Sequence, residues 1–297
     1  MLLFLTNNFS LRALRSGSSF LHFVTGMKKF LAASVIHYKA AMVCPRFIWL
    51  MRKLNCEKLC RNGEVVWGCI DSWLIRKMNG TTFDGVHKSE ITNSAASGLY
   101  DPFELEWSSI VCATVGVPTR CLPKVVSTTS HEFGIFEEFG LPICAISGDV
   151  NAAMIGEKMT EVGDIKVTMG TGAFVDLNTG NYPFPSTTGC YPLVGWQIGE
   201  NAPVTYLAEA DDNSCGAAVD WGARAGFYES AAHSEEKARM VDHTNGVYFI
   251  PALWGISSPI NDPTATCALL GLGPKTKQPH CVRAILHALA FRSFQVN

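Results

Sequence analysis

The segment from Gly148 to Gly180, GDVNAAMIGEKMTEVGDIKVTMGTGAFVDLNTG, constrains this chain more than any other. An acid, Asp149, stands among small residues, and Ala152 to Met159 then reads as helical. Two β-prone runs, Lys166–Met169 and Ala173–Leu177, flank Gly170-Thr171-Gly172 and predict a hairpin. The apolar run Ile143 to Ile146 reads as a strand. It would deliver Asp149 at a carboxyl end, where α/β sheets hold their ligands.

A buried carboxylate followed by a glycine-rich turn suits phosphoryl transfer to an alcohol. The carboxylate accepts the hydroxyl proton, and the turn brings backbone N–H groups to phosphate oxygens. The same residues have a plainer reading. An Asp at a helix start stabilises the exposed N–H groups there, and Gly-Thr-Gly also makes an ordinary tight hairpin. From these residues alone both readings stand.

At 297 residues the chain is long enough for two domains, with a boundary expected near residue 150 (1–150 and 151–297). A carboxylate at such a boundary is expected at the floor of an interdomain cleft. With 47% hydrophobic and 17% charged residues the composition is that of a globular protein. A net charge of −2 argues against general nucleic-acid binding. No acid precedes Glu57, while Arg12, Arg15, Lys28, Lys29, Lys39, Arg46, Arg52 and Lys53 do. That suits a mitochondrial transit peptide, or the basic face of a soluble helical region. The opening Met1–Leu5 is too short for a secretory core, and no run reaches the roughly 18 apolar residues of a membrane span. The eleven cysteines are odd in number, and Cys56 and Cys60 have the wrong spacing for a zinc knuckle. They read as small reduced residues of a cytosolic protein.

Elsewhere, apolar spacing predicts two helices between Phe30 and Leu54, separated by Pro45. Val65 to Ile70 reads as a strand or a helix entry, with Asp71 or Ser72 as a cap, and Asn79-Gly80 as the closing turn. A helix over Glu104–Val115 should bury Leu105, Ile110, Val111 and Val115. Further on come a strand at Val194–Ile198, a helix at Ser214–Ala223 and a strand at Val247–Ile250 stopped by Pro251. A last helix from about Pro279 should present Val282, Ile285, Leu286, Leu289 and Phe294 on one face. The class is α/β.

GDVNAAMIGE followed by GDIKVTMGTGAFVDLNTG resembles the FGGY carbohydrate kinases, whose glycerol kinases carry GDQQAA–FG–GxxKxTYGTGxFxxxNTG. GCIDSWLIRKMNG, TNSAASGLYDPFELEW, LPKVVSTTSHEFG, NGVYFIPALWGISSPINDPTATCALLGL and CVRAILHALAFRSFQ are similar to glycerol kinase in the same order, so the resemblance runs from about Arg46 onward. The TMGTG form and TTGCYPLVGWQIG look most similar to the glycerol kinase 5 branch of that family. The resemblance implies an actin-like ATPase (ribonuclease H-like) fold with two domains. It implies ATP-dependent phosphorylation of glycerol to glycerol 3-phosphate, with Mg²⁺, in the cytoplasm, by a chain that could form a homo-oligomer. By the same resemblance Asp149 is the general base beside the substrate hydroxyl and Phe174 packs on the glycerol carbons. Gly170, Thr171 and Gly172 meet the nucleotide phosphates, and Gly216 lies beside the nucleotide.

This chain also departs from that pattern. Asp220 replaces a glutamine near the polyphosphate, Val150 a substrate-contacting glutamine, and Asn261 a tryptophan. Lys88-Ser89-Glu90 replaces VTD, and an expected tyrosine aligns with Ala41, close to Tyr38. Losing two or three hydrogen bonds of about 1–1.5 kcal/mol each would weaken glycerol binding about ten- to several-hundred-fold. The phosphate loop DxGTTSxR and the adenine motif DGGxxxNxxL do not occur. The expectation is a fragment lacking both ends, with impaired activity. A non-catalytic product or scaffold, and a kinase for another small polyol or sugar, stand as alternatives. Other motifs are weak: His131-Glu132 lacks a second histidine, and Gly271–Thr276 lacks Walker spacing.

Overall fold

A computed structural model describes residues 9–35, 42–80, 87–186, 189–212 and 214–296. Met1–Leu5, Tyr38, Lys39 and Ala41, singled out above, lie outside the described residues. The chain divides into two compact units. One comprises Met1–Asp164, Asn178–Pro185 and Tyr191–Ala208; the other comprises Ile165–Leu177, Ser186–Cys190 and Glu209–Asn297. Residue 150 thus lies inside the first unit. Among the described residues no helix is long and apolar enough to cross a membrane.

The first unit begins with helices α1 (Phe9–Thr25), α2 (Leu31–Val35) and α3 (Val43–Lys53). Pro45 does not separate two helices as expected. It is the third residue of α3, after the cap Met42, where its missing N–H has no helical acceptor to satisfy. The apolar face of α3 buries Cys44, Phe47, Ile48 and Met51. These join Leu99, Val111, Cys112 and Val115 in one core.

Helix α4 (Glu57–Asn62) ends at Gly63, whose φ of 78° suits a residue without a Cβ. Helix α5 (Ile70–Met78) is capped by Cys69, so neither Asp71 nor Ser72 is its cap. Asp71 instead turns inward, and its Oδ2 accepts from Ser89 Oγ at 2.8 Å and from the Glu90 amide at 2.7 Å.

Strand β1 (Lys88–Glu90) leads directly into α6 (Ile91–Ala95). The short strands β2 (Tyr100–Asp101) and β3 (Glu106–Trp107) then pair antiparallel. Helix α7 covers only Ser109–Val115, with Ser108 as its cap. The helix predicted from Glu104 does not start there, because Asp101 Oδ1 accepts from the amides of Phe103 and Glu104 and folds a turn. Leu105, expected in the core, is 37% exposed at a φ of 56°.

Strand β4 (Lys124–Val126) lies parallel to β1, with Glu90 opposite Val126. Strands β5 (Ile135–Phe136) and β6 (Leu141–Pro142) form a small antiparallel pair. The strand expected over Ile143–Ile146 is reduced to a single bridge between Ala145 and Thr129. Around it the Ser130 amide donates to Cys144 and the Ile146 amide to Thr128, both at 3.0 Å. Helix α8 (Asp149–Gly156) follows.

Four longer strands come next: β7 (Ile165–Met169), β8 (Ala173–Gly180), β9 (Tyr191–Trp196) and β10 (Thr205–Asp212). In the first unit β9 neighbours β10, and Met154 of α8 packs with Trp196 and Leu207. In the second unit β7 and β8 form the expected antiparallel hairpin, in register from Ile165–Leu177 to Met169–Ala173. The second unit adds α9 (Gly216–Arg224), α10 (Ser234–Arg239), the antiparallel pair β11 (Tyr248–Ile250) and β12 (Ala268–Leu270), and α11 (Gln278–Val296). Val282, Ile285 and Leu289 of α11 are buried as its spacing predicts, while Phe294 is 80% exposed.

Candidate active site

In the first unit, Asp149 is the first residue of α8, and Gly148 is the cap. Its side chain is exposed, which corrects the expectation of a buried carboxylate. A side chain at this helix position leaves the end of the helix instead of lying along it. Asp149 Oδ1 accepts from the Val150 amide at 2.8 Å, which leaves Oδ2 without a partner among the described residues.

The backbone ahead of Asp149 is tightly held. The Gly148 amide donates to Thr92 Oγ1 at 2.8 Å. A Cβ on Gly148 would come within 2.6 Å of Asn151 Oδ1 and 3.3 Å of Thr92 Oγ1, so a larger residue would have to displace the Asn151 side chain. Asn151 is buried, and its Nδ2 donates to the carbonyls of Val194 (2.9 Å) and Gly195 (3.0 Å), which anchors α8 to β9. Val150, beside Asp149, is partly buried. Sequence reasoning did not single out Thr92 or Asn151. Thr92 lies more than fifty residues upstream of Gly148, and only the fold brings the two together.

In the second unit, Gly170, Thr171 and Gly172 form the tip of the β7–β8 hairpin, and Gly216 starts α9 beside it. The Gly216 amide donates to the Gly170 carbonyl at 2.9 Å and the Ala217 amide to the Thr171 carbonyl at 3.0 Å. The first two N–H groups of α9 are therefore committed to the turn and closed to an anion. The Thr171 hydroxyl makes no hydrogen bond among the described residues, and Thr171 is exposed. Neither Gly170 nor Gly172 has a positive φ, so the turn does not depend on glycine's left-handed freedom.

Phe174 stands on the more exposed face of β8, opposite Thr168, and is 37% exposed. Asp220 is exposed on α9. Its charge, after burial, helps hold the Tyr228 hydroxyl at about 12. Behind the hairpin lies a polar group that the sequence reading passed over. Lys166 Nζ pairs with Asp176 Oδ2 at 3.4 Å and donates to Thr168 Oγ1. Burial raises the Asp176 carboxyl above its usual range, although Glu209 and Lys166 pull it down. The buried Lys166 cation thus faces the buried Asp176 carboxylate.

An exposed hydroxyl at a turn can donate to a phosphate oxygen. No group of three or more His, Cys, Asp or Glu among the described residues could hold a metal ion alone.

Residues 29–156 match the N-terminal domain, and residues 165–296 the C-terminal domain, of the FGGY family of carbohydrate kinases. The chain is 39% identical over 292 residues to glycerol kinase 5 of Bos taurus, covering 96% of this chain and 54% of that protein. It is 36% identical to human glycerol kinase 5 (98% and 55%) and 34% identical to glycerol kinase of Arabidopsis thaliana (83% and 48%). The chain thus spans about half the length of the curated relatives it matches. Among solved structures, Plasmodium falciparum glycerol kinase with ADP matches with a TM-score of 0.81 at 23% identity, over 95% of this chain and 56% of that one. A ligand-bound xylulose kinase from Lactobacillus acidophilus matches with a TM-score of 0.74 at 17% identity, over 97% and 57%. The fold is therefore the actin-like ATPase fold of these kinases.

Proposed function

The chain belongs to the FGGY family of carbohydrate kinases, and on that premise we propose that it works as a phosphotransferase, moving the γ-phosphoryl group of ATP to a hydroxyl of a small polyol, with glycerol as the first candidate. Asp149 is the general base that takes the hydroxyl proton. Thr171 and the turn around it hold nucleotide phosphates. Phe174 packs on the acceptor's carbon skeleton. Mg²⁺, when bound, neutralises charge on the phosphate oxygens. What this chain contributes is positioning and a proton acceptor, the two things a loose phosphoryl-transfer transition state needs most.

The observation that carries this reading is Asp149 itself. It is an exposed carboxylate with one oxygen free among the described residues, held on a pinned backbone at a helix start. A base must reach its proton, and a fixed one loses no entropy in doing so. Glycerol heads the acceptor list because the curated relatives are glycerol kinases. Xylulose and gluconate kinases share the fold, and they set the alternatives.

The test is ADP release by the purified chain with ATP and Mg²⁺ over a panel of glycerol, xylulose and gluconate. Acceptor-dependent ADP, largest with glycerol, supports the reading. ADP largest with a sugar moves the acceptor class. No acceptor-dependent ADP, together with no nucleotide-induced rise in melting temperature, would favour a non-catalytic scaffold.

A further inference from the structure

We propose that Glu90 is a positioning residue for Asp149, acting through Thr92 and Thr128. The proposal rests on the kinase reading for what Asp149 does, and on the first unit's geometry for how it is held.

Glu90 is fully buried between β1 and α6, and no cation among the described residues pairs with it. Its charge is met by donors instead. Oε2 accepts from the Thr92 amide (2.9 Å), Thr92 Oγ1 (2.5 Å), the Asn93 amide (3.1 Å) and Asn93 Nδ2 (3.1 Å). Oε1 accepts from Thr128 Oγ1 at 2.7 Å. Burial pushes the carboxyl up, and the Thr92 and Thr128 bonds pull it back. Asp71 also accepts, taking the Glu90 amide at 2.7 Å.

This arrangement fixes the direction of the hydrogen bonds. With the Thr92 hydroxyl proton committed to Glu90, Thr92 Oγ1 presents a lone pair, and the Gly148 amide donates to it at 2.8 Å. On the other side the Thr128 hydroxyl also donates to Glu90, while its oxygen accepts from the Gln197 amide at 3.0 Å. The Thr128 carbonyl accepts from the Ile146 amide at 3.0 Å. Ile146 and Gly148, the two ends of the three residues before Asp149, are therefore both bonded to residues that Glu90 holds. An aspartate there would be one methylene short of bridging both threonines. A glutamine would turn a donor toward donors.

The test is a double-mutant cycle with Glu90→Gln and Asp149→Asn, reading kcat and KM for acceptor and ATP. Glu90→Gln should lower kcat about 10- to 100-fold with KM for ATP within about twofold, as for a base displaced by about an ångström. In the Asp149→Asn background the same change should cost less than about twofold, because the two act as one unit. An equal loss in both backgrounds overturns the proposal.

Thr92→Val should reproduce the kcat loss and Thr92→Ser restore most of it, which keeps the test open if Glu90→Gln does not fold. A second readout needs no activity. Amide exchange at Gly148 and Ile146 should speed up at least about tenfold in Glu90→Gln, with α3 amides unchanged. Unchanged rates at both positions overturn the proposal. A chain that phosphorylates no acceptor in any variant contradicts the function instead, and exchange alone then decides the positioning.

Discussion

The Gly216 amide donates to the Gly170 carbonyl at 2.9 Å, and a Cβ on Gly216 would meet that same oxygen at 2.5 Å. The turn and the start of α9 therefore approach as closely as a bare backbone permits. Gly216→Ala must push the Gly170–Gly172 turn away, at a cost of about 1–3 kcal/mol. Thermal melting should show the loss, and nucleotide should no longer raise the melting temperature. Gly156→Ala, where nothing lies within 4 Å of the added Cβ, is the control and should neither lower the melting temperature nor abolish the rise with nucleotide.

Thr171→Val removes a hydroxyl that makes no hydrogen bond among the described residues. Stability should stay within about 0.5 kcal/mol, as for a surface change away from special features. If the hydroxyl meets a phosphate, nucleotide affinity should fall about tenfold, the worth of one hydrogen bond. Titration calorimetry with ATP separates the two effects. Unchanged affinity would remove Thr171 from the site.

Asp101 sets a pH dependence in the first unit. Burial, with help from Glu104 and Glu106, raises its carboxyl from 3.8 to about 6. The folded state thus holds a proton that the unfolded chain has released. Its contribution to stability is greatest below pH 3.8, falls as pH rises toward about 6, and is level above that. Asp101→Asn keeps an oxygen for the Phe103 and Glu104 amides while removing the charge. The melting temperature of the variant minus that of the parent should climb across this window and then stay flat. A difference independent of pH would show that Asp101 titrates normally.

Arg292 closes a buried network in the second unit. Its Nε donates to Asp212 Oδ2 at 3.1 Å, its Nη2 to the Ser258 carbonyl at 2.6 Å and its Nη1 to Gln295 Oε1 at 2.6 Å. Arg292→Ala leaves Asp212 buried without its cation and should cost about 3–5 kcal/mol by denaturant unfolding. Arg292→Met combined with Asp212→Leu should recover part of that, because the stranded charge is gone. If the double variant is less stable than Arg292→Ala, the penalty lies in the packing of the arginine and not in the unpaired acid.

The hairpin and helix α11 were legible because their apolar spacing matches one period, and the family was legible from the run around Asp149. Strand β10 was not, because Glu209, Asp211 and Asp212 interrupt any apolar pattern there. All three are buried. Arg292, the cation that pairs with Asp212, lies 80 residues away in sequence. Glu90 was noticed only as a departure from a pattern. Thr92 and Asn93 reach it as the local cap of α6, but its bond to Thr128 depends on the parallel pairing of β1 with β4, which no local period announces. Pro45 misled for the opposite reason: the rule that proline breaks helices does not apply to the first turn.

The central claim is that Asp149 accepts the acceptor's proton. The direct measurement is glycerol-dependent ADP formation by the full 297-residue chain and by its Asp149→Asn variant, at equal nucleotide affinity. The account predicts a kcat about 10²- to 10⁴-fold lower in the variant, with the KM for ATP unchanged, as for loss of a general base. Equal kcat in the two proteins would contradict it.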